Sequence, residues 1–449
     1  MRRPTPQQQR RNALLSQMES GIAIIPNAFQ PRREDDPSRY TTWIYGLSVF
    51  MPDSDFWYLT AFPEPESVLV LIAGAQPQSI LFCRPRDEEQ ELWWGKRIGP
   101  EQAQERFGFD ACYSMDELDT RLPQLMQGHS RLHYAFGADA GWDQRVYQAL
   151  NQLRHPKASR GGSVFPTETV DIRRNIHAMR RIKDAAEIDI MRKAVNISVA
   201  AHLRAMRACQ AGLYEYQLEA ELQYVFRHHG AWGPSYNSIV ASGPNACLLH
   251  HVDNDRQMQS DELVLIDAGA RFDGYCADLT RTLPVSGRFT GPQRDIYDLV
   301  LSAEVAAIDA IRPGRPMNTA QQTHVRILSQ GLLDLGLCQG SLDGVIERED
   351  YKRFYMHGPG HFLGIDTHDA GRYHNAQGEW LNYQPGMTLT VEPGLYIRPA
   401  DNIPEAFWHI GVRVEDNLLV TEHGVEVLSA DLPKSATDIE AIMRDGALH

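Results

Sequence analysis

Two patterns of apolar and polar residues alternate along this chain: short apolar runs bounded by turn residues, and longer stretches with apolar positions at helical spacing. Over residues 1–175 they predict a helix at Pro6 to Met18 and strands at Gly21 to Ile25, Ser67 to Ile72, Ser79 to Cys83 and Arg131 to Phe136. Helices are expected near Asp116 to Met126 and Trp142 to Leu153. The charged, proline-bearing segment Pro31 to Pro37 reads as a loop, and His155 to Ser163 as connecting chain. Beyond it, Asp184-Ala-Ala-Glu187 has the form of a capping box, and Ile188, Met191, Val195 and Val199 carry a helix toward Met206. A second helix follows at about Glu215 to His228, then a strand at Ser235 to Ser242 and a hairpin at Val264 to Thr282. The order then recurs, with helices near Gln293 to Ile311 and Thr319 to Leu335 and strands at Met387 to Ile397 and Ile410 to Thr421. Two helices and a hairpin, twice over, predict a duplicated architecture, with any shared site where the two sets of strands meet.

The first hairpin contains two acids, Asp267 and Asp278, where strands rarely carry them, because a carboxylate there is desolvated and adds no packing. Its turn tests whether they meet. With Asp273-Gly274 as the two loop residues, Asp267 lies opposite Thr280 and Asp278 is its diagonal neighbour on the same face; with Phe272-Asp273, the two acids are directly opposite. Only an odd-length loop separates the faces. Two desolvated carboxylates on one face repel unless a cation lies between them, so a metal is the expectation, and it needs further ligands.

Composition narrows the partners. At 449 residues the chain is long enough for two or three domains, and 43% apolar with 23% charged residues is the balance of a globular protein. A net charge of -14 argues against nucleic acid or an anionic membrane surface as partner. The cysteines Cys83, Cys112, Cys209, Cys247, Cys276 and Cys338 are scattered without C-x-x-C spacing, which signals neither a disulfide framework nor a zinc knuckle and fits a reducing cytoplasm. The basic N-terminus is not followed by an apolar signal core, and the run Val68 to Ala75 is too short to span a bilayer.

The recurring strands supply the missing ligands. Glu392 ends an apolar run before Pro393-Gly394, and Glu415 follows an alternating run in which Arg413 shares its face. Between the helices and these strands, Met356 to Gly371 presents His357, His361 and His368 among glycines that let backbone approach closely. Four carboxylates are neutralised by two divalent cations, whereas one would leave two charges buried without a partner. Oxygen ligands with one imidazole and no thiolate point to manganese, cobalt or iron. Two such ions, typically ~3.5–4 Å apart, activate a shared water and polarise a carbonyl or phosphoryl oxygen. Metal-assisted hydrolysis is the chemistry expected.

The ordered set Asp267, Asp278, His361, Glu392, Glu415 resembles the ligand signature of the pita-bread metallopeptidases, and the words Leu-Ile-Asp-Ala-Gly, Asp-Leu-Thr-Arg-Thr, Val-Glu-Pro-Gly-Leu-Tyr and Val-Arg-Val-Glu-Asp match over about 176 to 440. Asp55-Phe-Trp-Tyr-Leu-Thr and Leu92-Trp-Trp-Gly-Lys-Arg resemble the N-terminal domain of bacterial aminopeptidase P, which methionine aminopeptidases lack. The resemblance implies an α/β (α+β) chain. Its N-terminal mixed α/β domain covers 1–175, and a C-terminal pita-bread domain with pseudo-twofold helix-hairpin halves covers 176–449. It implies release of the N-terminal residue from peptides with proline second, a dinuclear manganese site, and a homo-oligomer, dimer or tetramer.

Carried over by position, Asp267 and Asp278 hold one metal and Asp278, His361 and Glu415 the other, with Glu392 and Glu415 bridging beside Asp278. Glu392 relays protons, and His250 and His368 face the scissile carbonyl and the proline. Arg413 and Tyr396 support the site, with Tyr396 also counted among substrate contacts. Asp55 is a candidate contact to the substrate amine, and Trp93 a candidate to reach a neighbouring subunit's site. The doublet His250-His251 leaves either histidine available. The alternatives are a prolidase restricted to dipeptides and a binding protein that keeps the fold without chemistry.

Overall fold

In the computed structural model, residues 4–28, 41–44, 47–154 and 164–446 are described. The expected loop Pro31 to Pro37 and the connecting stretch His155 to Ser163 lie outside them. The chain divides into two compact units, Met1–Met179 and Arg180–His449.

In the N-terminal unit the apolar runs pair into a six-stranded mixed sheet. Its order is Ala111–Ser114, Gln78–Cys83, Val68–Ala73, Gly21–Pro26, Arg131–His133 and Glu168–Val170. The inner strands Gly21–Pro26, Val68–Ala73 and Gln78–Cys83 pair antiparallel, and the outer strands are added parallel. Leu118, Leu122 and Met126 of one helix and Trp142, Val146 and Leu150 of another cover one face, packing on Ile22, Ile24, Val70 and Phe82. Helix Pro6–Met18 starts at Thr5 with a complete capping box to Gln8. Three short helices, Ser54–Thr60, Glu88–Trp94 and Gly99–Phe107, were not expected from apolar periodicity. The first two begin at Asp53 and Asp87, whose side chains cap their N-termini.

The C-terminal unit has the duplicated order. Asp184 and Glu187 form the capping box of the helix Ala185–Ala208, which with Glu215–His228 precedes the first hairpin; Gly291–Ala310 and Thr319–Asp334 precede the second. These helices and both hairpins share one apolar core, including Val195, Phe226, Ile266, Tyr297, Leu328 and Val412. Strand parity then sorts the site. Val264, Ile266 and Ala268 face that core while Leu265 faces the opposite side, so Asp267 points away from the core. Val412 and Val414 face the core likewise, and Arg413 and Glu415 alternate with them. Asp267, Arg413 and Glu415 therefore turn away from that core, to the opposite face of the hairpins.

Candidate metal centre and active-site cavity

The first hairpin keeps one register throughout. Leu263–Asp267 pairs with Thr280–Pro284 so that Asp267 lies opposite Thr280, and Phe272 pairs with Tyr275 across the two-residue turn Asp273-Gly274. Asp273 and Gly274 both have positive φ, 48° and 86°, the backbone that a two-residue hairpin turn needs. Asp278 is not inside a strand, as sequence parity suggested, but in the gap between Tyr275–Cys276 and Thr280–Pro284. Opposite it stands Gly269, where a Cβ would come 1.7 Å from the carbonyl of Ala277. The second hairpin is broken in the same way: Glu392 lies between Thr388–Val391 and Gly394–Ile397, and Glu415 between Ile410–Arg413 and Asp416–Val420. Breaks in the ladder free these residues to turn their carboxylates to a common point.

The hairpins meet along a seam. Thr280 and Glu415 form a backbone bridge, Glu415 N–H donating to the Thr280 carbonyl at 3.1 Å. On either side, side chains replace backbone pairing. Thr282 Oγ1 accepts from Arg413 N–H at 3.2 Å and donates to its carbonyl at 3.0 Å. The Asn417 carboxamide accepts from Asp278 N–H at 3.1 Å and donates to the Asp278 carbonyl.

Across this seam the donor atoms converge. Asp278, His361 and Glu415 each offer a ligand atom, all within 4.8 Å of one another. His361 Nε2 is 3.4 Å from Asp278 Oδ2 and 3.8 Å from Glu392 Oε1. His361 Nδ1 lies 3.0 Å from the Phe362 carbonyl, which can only accept, so Nδ1 carries a proton and Nε2 is presented to the acids. Gly360, with φ of 146°, brings this loop against the strand Thr388–Val391; a Cβ there would meet the Thr390 carbonyl at 2.1 Å. Arg413 Nη2 binds Asp267 Oδ2 at 2.5 Å, and Thr280 Oγ1 donates to Glu415 Oε2 at 2.7 Å. The hydroxyl of Tyr236, a residue that sequence reasoning passed over, bridges Asp267 Oδ1, at 2.5 Å, and Asp278 Oδ1. A tyrosine after a proline-serine pair carries no pattern in a single sequence that would mark it.

Electrostatics follow from this crowding. Burial, then repulsion from Asp267, raises the Asp278 carboxyl. Burial raises Glu415 well above the usual range, Asp278 adding to it, and brings Glu392 to about 7 against the pull of His361 and Arg413. Burial alone would lower His361, but its contact with Asp278 and the nearby charges hold it at about 9. Arg413 offsets Asp267, which leaves Asp278, Glu392 and Glu415 around one imidazole. This is a donor set that a divalent cation completes.

These groups line a cavity of about 660 Å³ that also receives His250, His357, His368, Leu249 and Val252, all from the C-terminal unit. The doublet separates here: His250 faces the cavity, whereas His251 is buried with Nε2 3.0 Å from Glu215 Oε2. The His368 ring meets that of His361 with centroids 4.4 Å apart. Tyr396, expected as a support of the site and a substrate contact, lies next to Arg413 and His357. It is fully buried behind the wall, its hydroxyl accepting from Arg413 Nη1 and donating to His357 Nε2, both at 2.9 Å. Asp55 and Trp93 belong to the N-terminal unit. There Asp55 Oδ2 lies 3.2 Å from His177 Nε2, and Trp93 is 73% exposed on the helix Glu88–Trp94.

A family model described as metallopeptidase family M24 matches residues 189–422, and one described as aminopeptidase P, N-terminal domain matches residues 7–134. The chain is 42% identical over 438 residues to the Xaa-Pro aminopeptidase of Escherichia coli, covering 97% of each. It is similar to the structure of Pseudomonas aeruginosa aminopeptidase PepP, with a TM-score of 0.93 and 44% identity over 99% of both chains. The structure of zinc-substituted Escherichia coli aminopeptidase P in complex with product aligns at a TM-score of 0.93 and 41% identity, again over 99% of both. This chain belongs to metallopeptidase family M24 and is metal-dependent. More narrowly, its activity is that of an Xaa-Pro aminopeptidase, a hydrolase that removes the N-terminal residue from peptides with proline in second place. Its C-terminal unit is the pita-bread catalytic fold and its N-terminal unit the mixed-sheet domain that accompanies it.

Proposed function

We propose that Asp267, Asp278, His361, Glu392 and Glu415 hold two manganese ions and that Glu392, His250, His368 and Arg413 carry the catalytic and positioning roles around them. The observation behind this is the convergence of Asp278, His361 and Glu415 within 4.8 Å, with Asp267 and Glu392 on either side. When bound, the ions supply Lewis acidity and a water acidified toward neutrality. The chain's own groups do the rest. Glu392, beside His361, takes the proton of the attacking water and returns it to the leaving proline nitrogen. His250 and His368, both on the cavity wall, donate to the carbonyl oxygen as negative charge develops on it. Arg413 holds Asp267 and, through Tyr396, orients His357. Replacing Glu392 with Gln should cut kcat by roughly 10²–10⁴-fold while leaving the circular dichroism spectrum unchanged. Full turnover in that variant removes Glu392 from proton transfer. Elemental analysis of freshly purified protein should find two ions per chain with manganese the best supported by activity.

We also read the chain as a cytoplasmic homo-oligomer, dimer or tetramer. Six unpaired cysteines support a reducing compartment. Among the described residues no helix is long and apolar enough to cross a membrane. Leu92, Trp93 and Trp94, exposed together on one short helix, support burial against another copy, and Asp55 and Trp93 are offered as contacts of the substrate-bound assembly. Light scattering of the native protein should give a multiple of 50.8 kDa, and a monomer mass ends this reading.

A further inference from the structure

Arg281 stands directly after Thr280 in the strand that forms the seam, and it is fully buried on the side away from the cavity. A guanidinium has five N–H donors in a fixed fork, and here each has a partner. Nε donates to the Pro433 carbonyl at 3.0 Å. Nη1 donates to the carbonyls of Thr280 at 2.9 Å and Glu415 at 2.7 Å, and Nη2 to Asp416 Oδ1 at 2.7 Å and the Leu432 carbonyl at 2.9 Å. One side chain thus grips the first hairpin, the second hairpin and the C-terminal segment.

The position of that grip matters more than its number of bonds. Glu415 lies in a break between two strands, and its only backbone link to the first hairpin among the described pairings is the bridge to Thr280. Arg281 Nη1 binds both carbonyls of that bridge, so it sets the distance between the strand leading to Glu415 and the strand leading from Asp278. Asp416 is in turn held by Lys434 Nζ at 2.6 Å and by Ser429 Oγ at 2.9 Å. Lys434 Nζ also binds both carboxylate oxygens of Glu304 at 2.9 Å, and its carbonyl accepts from Tyr297 Oη at 2.9 Å.

We propose that Arg281 is a positioning residue of the metal centre: from behind the seam it fixes Glu415 against Asp278 and His361, and so sets metal affinity as well as rate. The inference rests on the reading that Glu415 is a metal ligand. Lysine in its place keeps a charge for Asp416 but presents its donors from one point and cannot span both bridge carbonyls and the C-terminal segment.

The test compares full-length Arg281→Lys, Asp416→Asn, Lys434→Met and Glu415→Ala, each stripped of metal and titrated with Mn²⁺ by calorimetry, with circular dichroism and steady-state kinetics alongside. Arg281→Lys should bind Mn²⁺ about 10–100-fold more weakly, and its kcat at saturating metal should fall while KM stays within a factor of about two. Asp416→Asn, which loosens one of the five contacts, should show a smaller loss of affinity. Lys434→Met removes one of the groups that hold Asp416, so it should lower the melting temperature and weaken Mn²⁺ binding no more than Asp416→Asn does. A folded Arg281→Lys with wild-type Mn²⁺ affinity overturns the proposal. Should that variant not fold, Asp416→Asn decides: unchanged affinity there overturns it equally. Glu415→Ala separates the two levels of the argument. If it keeps full Mn²⁺ affinity, the ligand reading has failed; if it loses metal while Arg281→Lys does not, only the role of Arg281 has.

Discussion

His250 and His251 are neighbours with opposite surroundings. His250 stands in a turn and lines the cavity, whereas His251 after it meets the Glu215 carboxylate, which also receives Ser242 N–H at 2.6 Å and Ser242 Oγ at 2.8 Å. Substituting each with Ala should therefore divide chemistry from stability. His250→Ala should lower kcat by roughly 10²-fold, the scale of losing one donor to a developing oxyanion, with no change in melting temperature. His251→Ala should leave buried Glu215 short of a partner and cost roughly 1–3 kcal/mol, with kcat retained. Kinetics and thermal melts on both variants check this, and a His251→Ala protein that loses rate but not stability reverses the assignment. Periodicity could not separate the two, because they stand at a turn outside any strand or helix, where no repeating pattern marks a face. The sequence could say that one of His357, His361 and His368 in a glycine loop would join four misplaced acids, and the family resemblance, not the loop itself, picked out His361. Tyr236 was illegible for the opposite reason: a half-buried tyrosine is ordinary until its hydroxyl is seen between two carboxylates.

The loop that carries His361 and His368 is held by its own anchor. Asp369 is buried, and its carboxylate binds Arg180 Nη2 at 2.6 Å and Lys183 Nζ at 2.8 Å, while its N–H donates to the Phe362 carbonyl at 2.9 Å. Burial alone would raise this carboxyl, but Lys183 and Arg180 keep it at about 2, below the ordinary 3.8. A depressed folded value means that the stabilisation is complete above the unfolded value and fades as pH falls from 3.8 through about 2. Asp369→Asn takes the carboxylate from buried Lys183 and leaves Arg180 with Asp366, and it should cost about 3–5 kcal/mol at neutral pH. That difference from wild type should stay level above about pH 5 and shrink toward pH 2, as chemical denaturation over this range would read. A difference that does not narrow in acid removes the ion pair as its source. At this scale the sequence was a good guide to long periodic helices and to the hairpin register, both of which rest on repeated side-chain pattern. It misjudged strand ends. Met387 to Ile397 and Ile410 to Thr421 each read as one apolar run, yet each is cut at its acid, because the carboxylates turn toward a partner in the other half that a local window does not contain.

The centre of the C-terminal unit assembles only when residues far apart in the chain arrive at one seam: Asp278 from the first half, His361 from the glycine loop, Glu415 from the second. No short segment specifies it, but its acids are out of place wherever they stand, and the recurrence of helix pair and hairpin told where they would meet. The N-terminal unit carries no such anomaly: the four inner strands of its sheet were legible from apolar runs, whereas the short edge strands Ala111–Ser114 and Glu168–Val170 and any role for Asp55 or Trp93 were not. The same dependence on assembly should make metal a structural as well as a chemical partner. Ligands that bind only the folded chain stabilise it by mass action, about 2.7 kcal/mol when the free ligand stands at a hundred times its Kd. Without metal the centre also keeps buried Asp278 and Glu415 and half-buried Glu392 around a single imidazole. Chelation should therefore abolish cleavage of an Xaa-Pro tripeptide and lower the melting temperature together, and one titration with Mn²⁺ should restore both with the same midpoint. Measuring rate and melting temperature on the same samples decides the matter. Activity that survives verified metal loss, or a melting temperature that ignores it, would mean that the seam is closed by protein contacts alone and that these acids are held apart by something other than the ions they are arranged to bind.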